Sequence, residues 1–333
     1  MPEGVTVILV TVLLLAVAFD YINGFHDTAN AIATSVSTRA LSPTYAIALS
    51  AAANFAGAFT GTAVAHTIGS GLVRATDTNQ VVVAAALIGA ISWNLVTWRF
   101  GIPSSSSHAL IGGLIGASIT AAGIGSVDGN GVVTKVLIPL VSSPLLGLAL
   151  GFGLMVVLLN VFRRANPRRM NDRFRRLQIV SAGYMAFSHG SNDAQKTMGV
   201  MTLALVTAGI LPEFEVPVPV ILVAASAISL GTAAGGWRII RTMGQRVVKL
   251  DPVHGFAAET TAASIILGAS HLGMPVSTTH VISSAIMGVG SSDRLSAVRW
   301  GVAANIVLAW IVTIPAAAAV AALAYAVLSP IFG

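Results

Sequence analysis

A helix that spans a bilayer needs roughly 20 consecutive, predominantly apolar residues, and this chain is a succession of such runs. Val5–Phe19, Tyr45–Ile68, Val81–Trp98, Val136–Phe162, Val220–Trp237 and Ala303–Leu328 are each bounded by charges, glycines or prolines. An unfilled backbone polar group in lipid costs several kcal/mol, so these runs predict helices. Composition agrees. Of the 333 residues 55% are hydrophobic and 9% charged, where a soluble domain carries about 25% charged residues. The expected fold is an all-α polytopic membrane protein that crosses the bilayer about ten times.

The chain has no cysteine, which excludes disulfides and thiolate-bound metals without deciding a compartment. The first apolar run lacks a basic flank and a small-residue cleavage site, so it reads as a span and not as a signal peptide. The formal net charge is +6, but the basic residues sit in short loops between spans. They read as topology signals, not as a nucleic-acid surface.

The one hydrophilic stretch, Arg163–Arg176, holds seven arginines and a single acid, Asp172. It divides the chain nearly in half, and the halves resemble each other. Gly24-Phe25-His26-Asp27 answers Gly190-Ser191-Asn192-Asp193 at an offset of 166. Gly101-Ile102-Pro103-Ser104-Ser105-Ser106-Ser107-His108 answers Gly273-Met274-Pro275-Val276-Ser277-Thr278-Thr279-His280 at an offset of 172. Leu140–Pro144 answers Ile311–Pro315 more weakly, at 171. Similar offsets in one order predict a duplication: an N-terminal repeat over 1–162, a basic cytoplasmic linker over 163–177 and a C-terminal repeat over 178–333.

With five crossings per half and both termini outside, fifteen of the 18 basic residues fall on the cytoplasmic side, while Arg74 and Lys135 fall outside. That agrees with the positive-inside rule. An odd number of crossings per half gives two inverted-topology repeats, with discontinuous helices or re-entrant hairpins near mid-membrane.

Charge retained inside a bilayer is a functional signal, since insertion costs roughly 2.5–3.5 kcal/mol. Asp27 and Asp193 stand out, each beside a glycine and among the amides Asn23, Asn30, Asn192 and Gln195. Gly24 and Gly190 are expected to break their helices, freeing backbone groups for an ion. A lone Asp of this kind could as well cap an interfacial helix; two in matching positions favour a binding role. Ser104–Ser107 and Ser277–Thr279 follow prolines and supply hydroxyls and helix-start N–H groups suited to a tetrahedral oxyanion.

Weaker candidates for cation binding or coupling are Glu259, Lys196 and His189. Glu259 lies within an apolar run. Lys196 is placed to neutralise Asp193 or assist the anion. His189 lies four residues before Asp193. The glycine pairs Gly57/Gly61 and Gly147/Gly151 have the spacing of close helix packing. No Walker-type loop, Gly-x-Ser-x-Gly elbow or His-Glu-x-x-His pair occurs, so neither ATP-driven transport within this chain nor a membrane hydrolase is expected.

With these motifs in place, the chain resembles the inorganic phosphate transporter family. The residues that carry the likeness are Gly24–Ser35, His189–Gly199 and the two Pro-x-Ser-x-x-His segments, in the right order over essentially the whole chain. The resemblance implies an inverted-repeat, usually homodimeric carrier in the cytoplasmic membrane. Such a carrier takes phosphate, or a neutral metal–phosphate complex, down a Na⁺ or H⁺ gradient and needs no other cofactor.

By position, Asp27, Asn30, Asn192 and Asp193 match the family's substrate and cation residues. Ser105 with its neighbours, and Ser277 with Thr278 and Thr279, match its phosphate-cradling hairpins. Glu259 and His189 match positions where the family often has Glu and His. His26 stands where many members have Asn, and Asn54 where some carry an acid; both departures lean toward protons. The expected function is therefore cation-coupled phosphate symport by alternating access, with Asp27 and Asp193 holding the cation, metal or proton. A symporter of sulfate or another oxyanion with the same architecture is the alternative, and an anion channel follows.

Overall fold

The computed structural model describes residues 3–73 and 78–332; Arg74, expected outside, falls beyond them. The described residues form thirteen α-helices and no strand. In order they are α1 Glu3–Ser37, α2 Pro43–Gly57, α3 Ala63–Ser70, α4 Gln80–Phe100, α5 Ser106–Ala122, α6 Gly129–Val132, α7 Ile138–Val161, α8 Pro167–Thr207, α9 Val218–Ala234, α10 Trp237–Arg241, α11 Pro252–His271, α12 Thr278–Asp293 and α13 Trp300–Phe332.

Local sequence explains the boundaries. The Asn79 carboxamide accepts from Val82 N at 3.0 Å to start α4, and Gly101 ends it at φ +66°, a conformation glycine adopts without strain. Asn166 caps α8 and Asp251 caps α11, each with proline at the first helical position, where the missing N–H costs nothing.

Four segments are long and apolar enough to span a membrane: Val7–Ser37, Gln80–Phe100, Gly129–Val161 and Trp300–Phe332. Val218–Ala234 with Trp237–Gly244, bent by 61°, makes a fifth if taken as one span. The other helices fall short for physical reasons. α5 and α12 hold 17 and 16 residues, and α8 begins with arginines and carries polar groups through its middle. α7 and α13 turn many large apolar side chains outward, among them Leu145 and Ile311. In water this would be a liability; in lipid it is ordinary.

Three expectations are corrected. Neither Gly24 nor Gly190 breaks its helix, for α1 and α8 run continuously through them. The glycines serve close packing instead. A Cβ at Gly24 would clash with the Ile228 carbonyl oxygen on α9, and one at Gly190 with that of Asn54 on α2. The chain breaks instead at the proline segments, between α4 and α5 and between α11 and α12.

Tyr45–Ile68 is two helices, α2 and α3. A Cβ at Gly57 would clash with the Phe187 carbonyl of α8, while one at Gly61, beyond the end of α2, would meet nothing within 4 Å. Gly147 and Gly151 do pack tightly, each 2.8 Å by its built Cβ from a carbonyl of α12. α8 begins at Pro167 and runs on without interruption, so most of the basic stretch lies within it.

The two halves are interleaved. α12 packs on α7, α13 on α4 and α5, and α1 on α8 and α9. Two hydrophobic cores result, and each draws residues from both halves.

Candidate functional site

Along α1, Asp20, Asn23, Asp27, Asn30 and Thr34 recur at alternating intervals of three and four. That spacing keeps them on one helix face, and all five are buried. At 1.5 Å per residue the stripe runs about 21 Å along the helix, most of the roughly 30 Å hydrocarbon thickness. α8 answers with Gln178, Ser181, His189, Asn192, Asp193 and Lys196, also buried. Each helix lays a polar seam through an otherwise apolar interior.

Two helix-turn-helix tips close on this seam. In each, the serine after proline caps the second helix: Ser105 Oγ accepts from His108 N and Ser277 Oγ from His280 N, both at 3.2 Å. Those two hydroxyls are therefore occupied in starting α5 and α12. Ahead of those capped histidines, the opening N–H groups of each helix have no intrahelical carbonyl partner, the arrangement that suits an anion. Ser107 Oγ donates to the Val276 carbonyl of the other tip at 3.4 Å. Asn30 Nδ2 donates to Thr278 and Thr279 at 3.2 and 2.9 Å.

The charged groups meet here. The Lys196 ammonium donates to Asp193, to Ser107 and, at 3.1 Å, to the Val276 carbonyl, so it ties one carboxylate to both tips. The other Asp193 oxygen accepts from Thr278 at 3.3 Å and lies 3.1 Å from His189 Nε2. His189 Nδ1 faces the Asn54 carboxamide oxygen at 3.0 Å, so both ring nitrogens look onto acceptors.

One ligand atom each from Asp27, His189 and Asp193 falls within 4.8 Å of the others, a spacing that could hold a metal ion. Asp27 also lies 2.6 Å from His26 Nδ1. His26 Nε2 in turn sits 3.1 Å from the Thr97 hydroxyl, which accepts from Ser104 at 2.8 Å.

Of the residues singled out by sequence, the fold gathers Asp27, Asn30, Ser107, Asp193, Lys196, His189, Thr278 and Thr279. Ser104 joins on the His26 side. Asn192 turns to Ser270 and the Met274 carbonyl, at 2.9 and 3.2 Å. Gln195 caps α3 through Val64 N and stands apart.

Glu259 closes on the Thr34, Gln178 and Ser181 end of the same seam. It lies fully buried and accepts from Thr34, Gln178 and Ser181, with no cation among its described partners. Sequence reasoning overlooked Asp20 and Thr97. The 3–4 spacing of acids and amides from Asp20 onward was the signal that could have found the first; nothing local marks the second.

The oxygens Asn30 Oδ1, Asn192 Oδ1 and Ser106 Oγ are buried and complete no hydrogen bond. An unfilled buried polar atom is costly, so the site is built for something more than its own side chains.

Residues 23–321 match the phosphate transporter family. A "Probable low-affinity inorganic phosphate transporter" of Bacillus subtilis is 47% identical over 329 residues, covering 98% of each chain. A protein of the same name from Rhizobium meliloti is 49% identical over 320 residues, 96% of each. Among solved structures, "The sodium-dependent phosphate transporter" superposes with a TM-score of 0.91 at 28% identity, covering 98% of this chain and all of that one.

Proposed function

The chain belongs to the phosphate transporter family, as a multi-pass membrane transport protein and not an enzyme, and from that premise we propose that it carries inorganic phosphate across the cytoplasmic membrane as a cation-coupled symporter. The observation that carries this reading is the Lys196 ammonium held among Asp193, Ser107 and the Val276 carbonyl. It places one positive charge where two helix N-termini converge.

In the proposed cycle, phosphate oxygens take the first-turn N–H groups of α5 and α12 with Ser106, Ser107, Thr278 and Thr279. Asn30 and Asn192 line the same space. Without a further cation, the Asp27 and Asp193 carboxylates oppose an arriving anion. A Na⁺ ion or proton at Asp27, His189 and Asp193 removes that opposition, which couples the two fluxes. Glu259, buried among neutral donors, is a third coupling carboxylate.

The matching sequence segments support two inverted repeats, 1–162 and 178–333, joined by the basic residues 163–177 on the cytoplasmic side, with both termini outside. Rocking of the repeats about the site then gives alternating access. A homodimer completes the reading, and a neutral metal–phosphate complex is the alternative form of the substrate.

The test is radiolabelled phosphate uptake into proteoliposomes under a Na⁺ gradient or a pH gradient, with excess sulfate as competitor. Accumulation driven by one gradient and insensitive to sulfate is expected, and Asp27→Asn and Asp193→Asn should each abolish it. Intact coupled uptake in both variants, or no concentrative uptake under either gradient, overturns the proposal.

A further inference from the structure

Asp20 is fully buried, and neither of its carboxylate oxygens completes a hydrogen bond. The side chains that face it are Asn23, one turn along α1, and Thr197 on α8. Both are buried as well, and the Asn23 carboxamide and the Thr197 hydroxyl are likewise without partners. Five polar atoms thus crowd one spot in the α1–α8 seam, where Asn23 and Thr197 are turned to the carboxylate yet none of the five atoms completes a well-formed hydrogen bond. Native interiors rarely leave even one such atom unfilled.

Lys196, whose charge reaches Asp20, does not resolve this. Lys196 donates to Asp193, Ser107 and the Val276 carbonyl, so its three protons are already placed.

We propose that Asp20, Asn23 and Thr197 form a second cation site for a hard monovalent ion, separate from the group at Asp27, His189 and Asp193. The donor set is one carboxylate, one carboxamide oxygen and one hydroxyl. It is all oxygen, which suits a hard cation and not zinc or copper. It carries a single negative charge, too little for a divalent ion that ordinarily draws several carboxylates. Asp20 precedes Asp27 by two helical turns, about 10 Å along α1. Asp193 and Lys196 are the charged groups that reach it, so an ion at Asp20 is felt electrostatically at the central site.

This inference rests on the transport reading for its consequence: the ion binds on the N-terminal side of the phosphate site and is the first met by a cation arriving from there. Its existence is read separately. Equilibrium binding of ²²Na⁺ to the purified, detergent-solubilised protein is compared for the natural chain, Asp20→Asn and Thr197→Val. Both changes nearly preserve shape, and a monodisperse elution profile confirms folding.

Asp20→Asn is expected to remove one bound equivalent. Thr197→Val should weaken that equivalent by roughly tenfold or more, the loss of one ligand. No Na⁺ binding by the natural chain, or unchanged binding in both variants, overturns the site. Intact Na⁺ binding with no phosphate uptake would overturn the transport reading and leave this site standing.

Discussion

His108 and His280, the last residues of the two Pro-x-Ser-x-x-His segments, meet edge to face with ring centroids 4.7 Å apart. Two stretches 172 positions apart in sequence therefore end at one point. Behind them, His280 stacks on Trp310 at 3.9 Å. Neither nitrogen of His280 finds a hydrogen-bond partner, so the ring acts here as an aromatic plate that locks the two tips together.

His280→Phe should therefore be tolerated, changing stability by about 1 kcal/mol or less, because it removes two orphaned polar atoms and keeps the stack. An apolar groove beside the ring, lined by Pro144, Met287 and Trp300, has room for the added bulk. His280→Ala leaves a hole and should cost about 2–5 kcal/mol. Thermal unfolding in detergent compares the two, and an equal loss in both would mean that the imidazole nitrogens have a polar role.

Lys196 and Asp193 form a buried ion pair one turn apart on α8. Removing one partner of such a pair leaves an uncompensated charge, at about 3–5 kcal/mol. Lys196→Met and Asp193→Asn should each destabilise by about that much, while the double variant should lose less than the sum. Additive losses in a double-mutant cycle would show the pair to be independent. Phosphate binding should vanish in Lys196→Met even in protein that remains folded.

Much of this was legible in the sequence, and the reasons differ by element. The apolar runs announce a membrane protein because lipid leaves the backbone few alternatives. Paired motifs announce a site because Asp27 and Asp193 are expensive to retain. Gly24 and Gly190 were misread because a glycine in a helix is compatible with a break or with close approach, and only the neighbouring carbonyl decides. The division of labour among the hydroxyls was also hidden. Ser105 and Ser107 are identical in sequence, yet one caps a helix and the other meets Lys196, since helix phase sets their directions. Asp20 was passed over as the end of an apolar run, although it shares the face of Asp27.

At the exposed base of the α11–α12 hairpin, His254 lies between Asp251 at 2.7 Å and Asp293 at 3.0 Å. Burial pulls its pKa down, but the Asp251 hydrogen bond and the charges of both carboxylates outweigh this and raise it above the ordinary 6.5. A raised histidine pKa stabilises the fold fully below pH 6.5 and loses that contribution as pH rises through the folded value. His254→Gln should therefore lower the melting temperature most at pH 5.5–6. The gap should close at alkaline pH. A gap that is flat or widens with pH would rule out the charged form as the stabilising one.

The continuous helices at Gly24 and Gly190 make a sharper demand. At both positions the obstacle to a side chain is a backbone carbonyl of a neighbouring helix, which cannot swing aside as a flexible side chain could. Gly24→Ala must push α9 away from α1, and Gly190→Ala must push α2 away from α8. Overpacking of this kind costs about 1–3 kcal/mol, and it should also shift His26 and Asn54, which steady Asp27 and His189, so uptake should fall in both variants. Gly183 on the same α8 is the control. Its Cβ would meet only the Leu49 side chain, at 3.7 Å, and an alanine there favours helix by about 0.5–1 kcal/mol. Gly183→Ala should match or exceed the natural chain in melting temperature with uptake intact. If all three variants behaved alike, glycine's role would be helix flexibility, and close approach would not explain the motif.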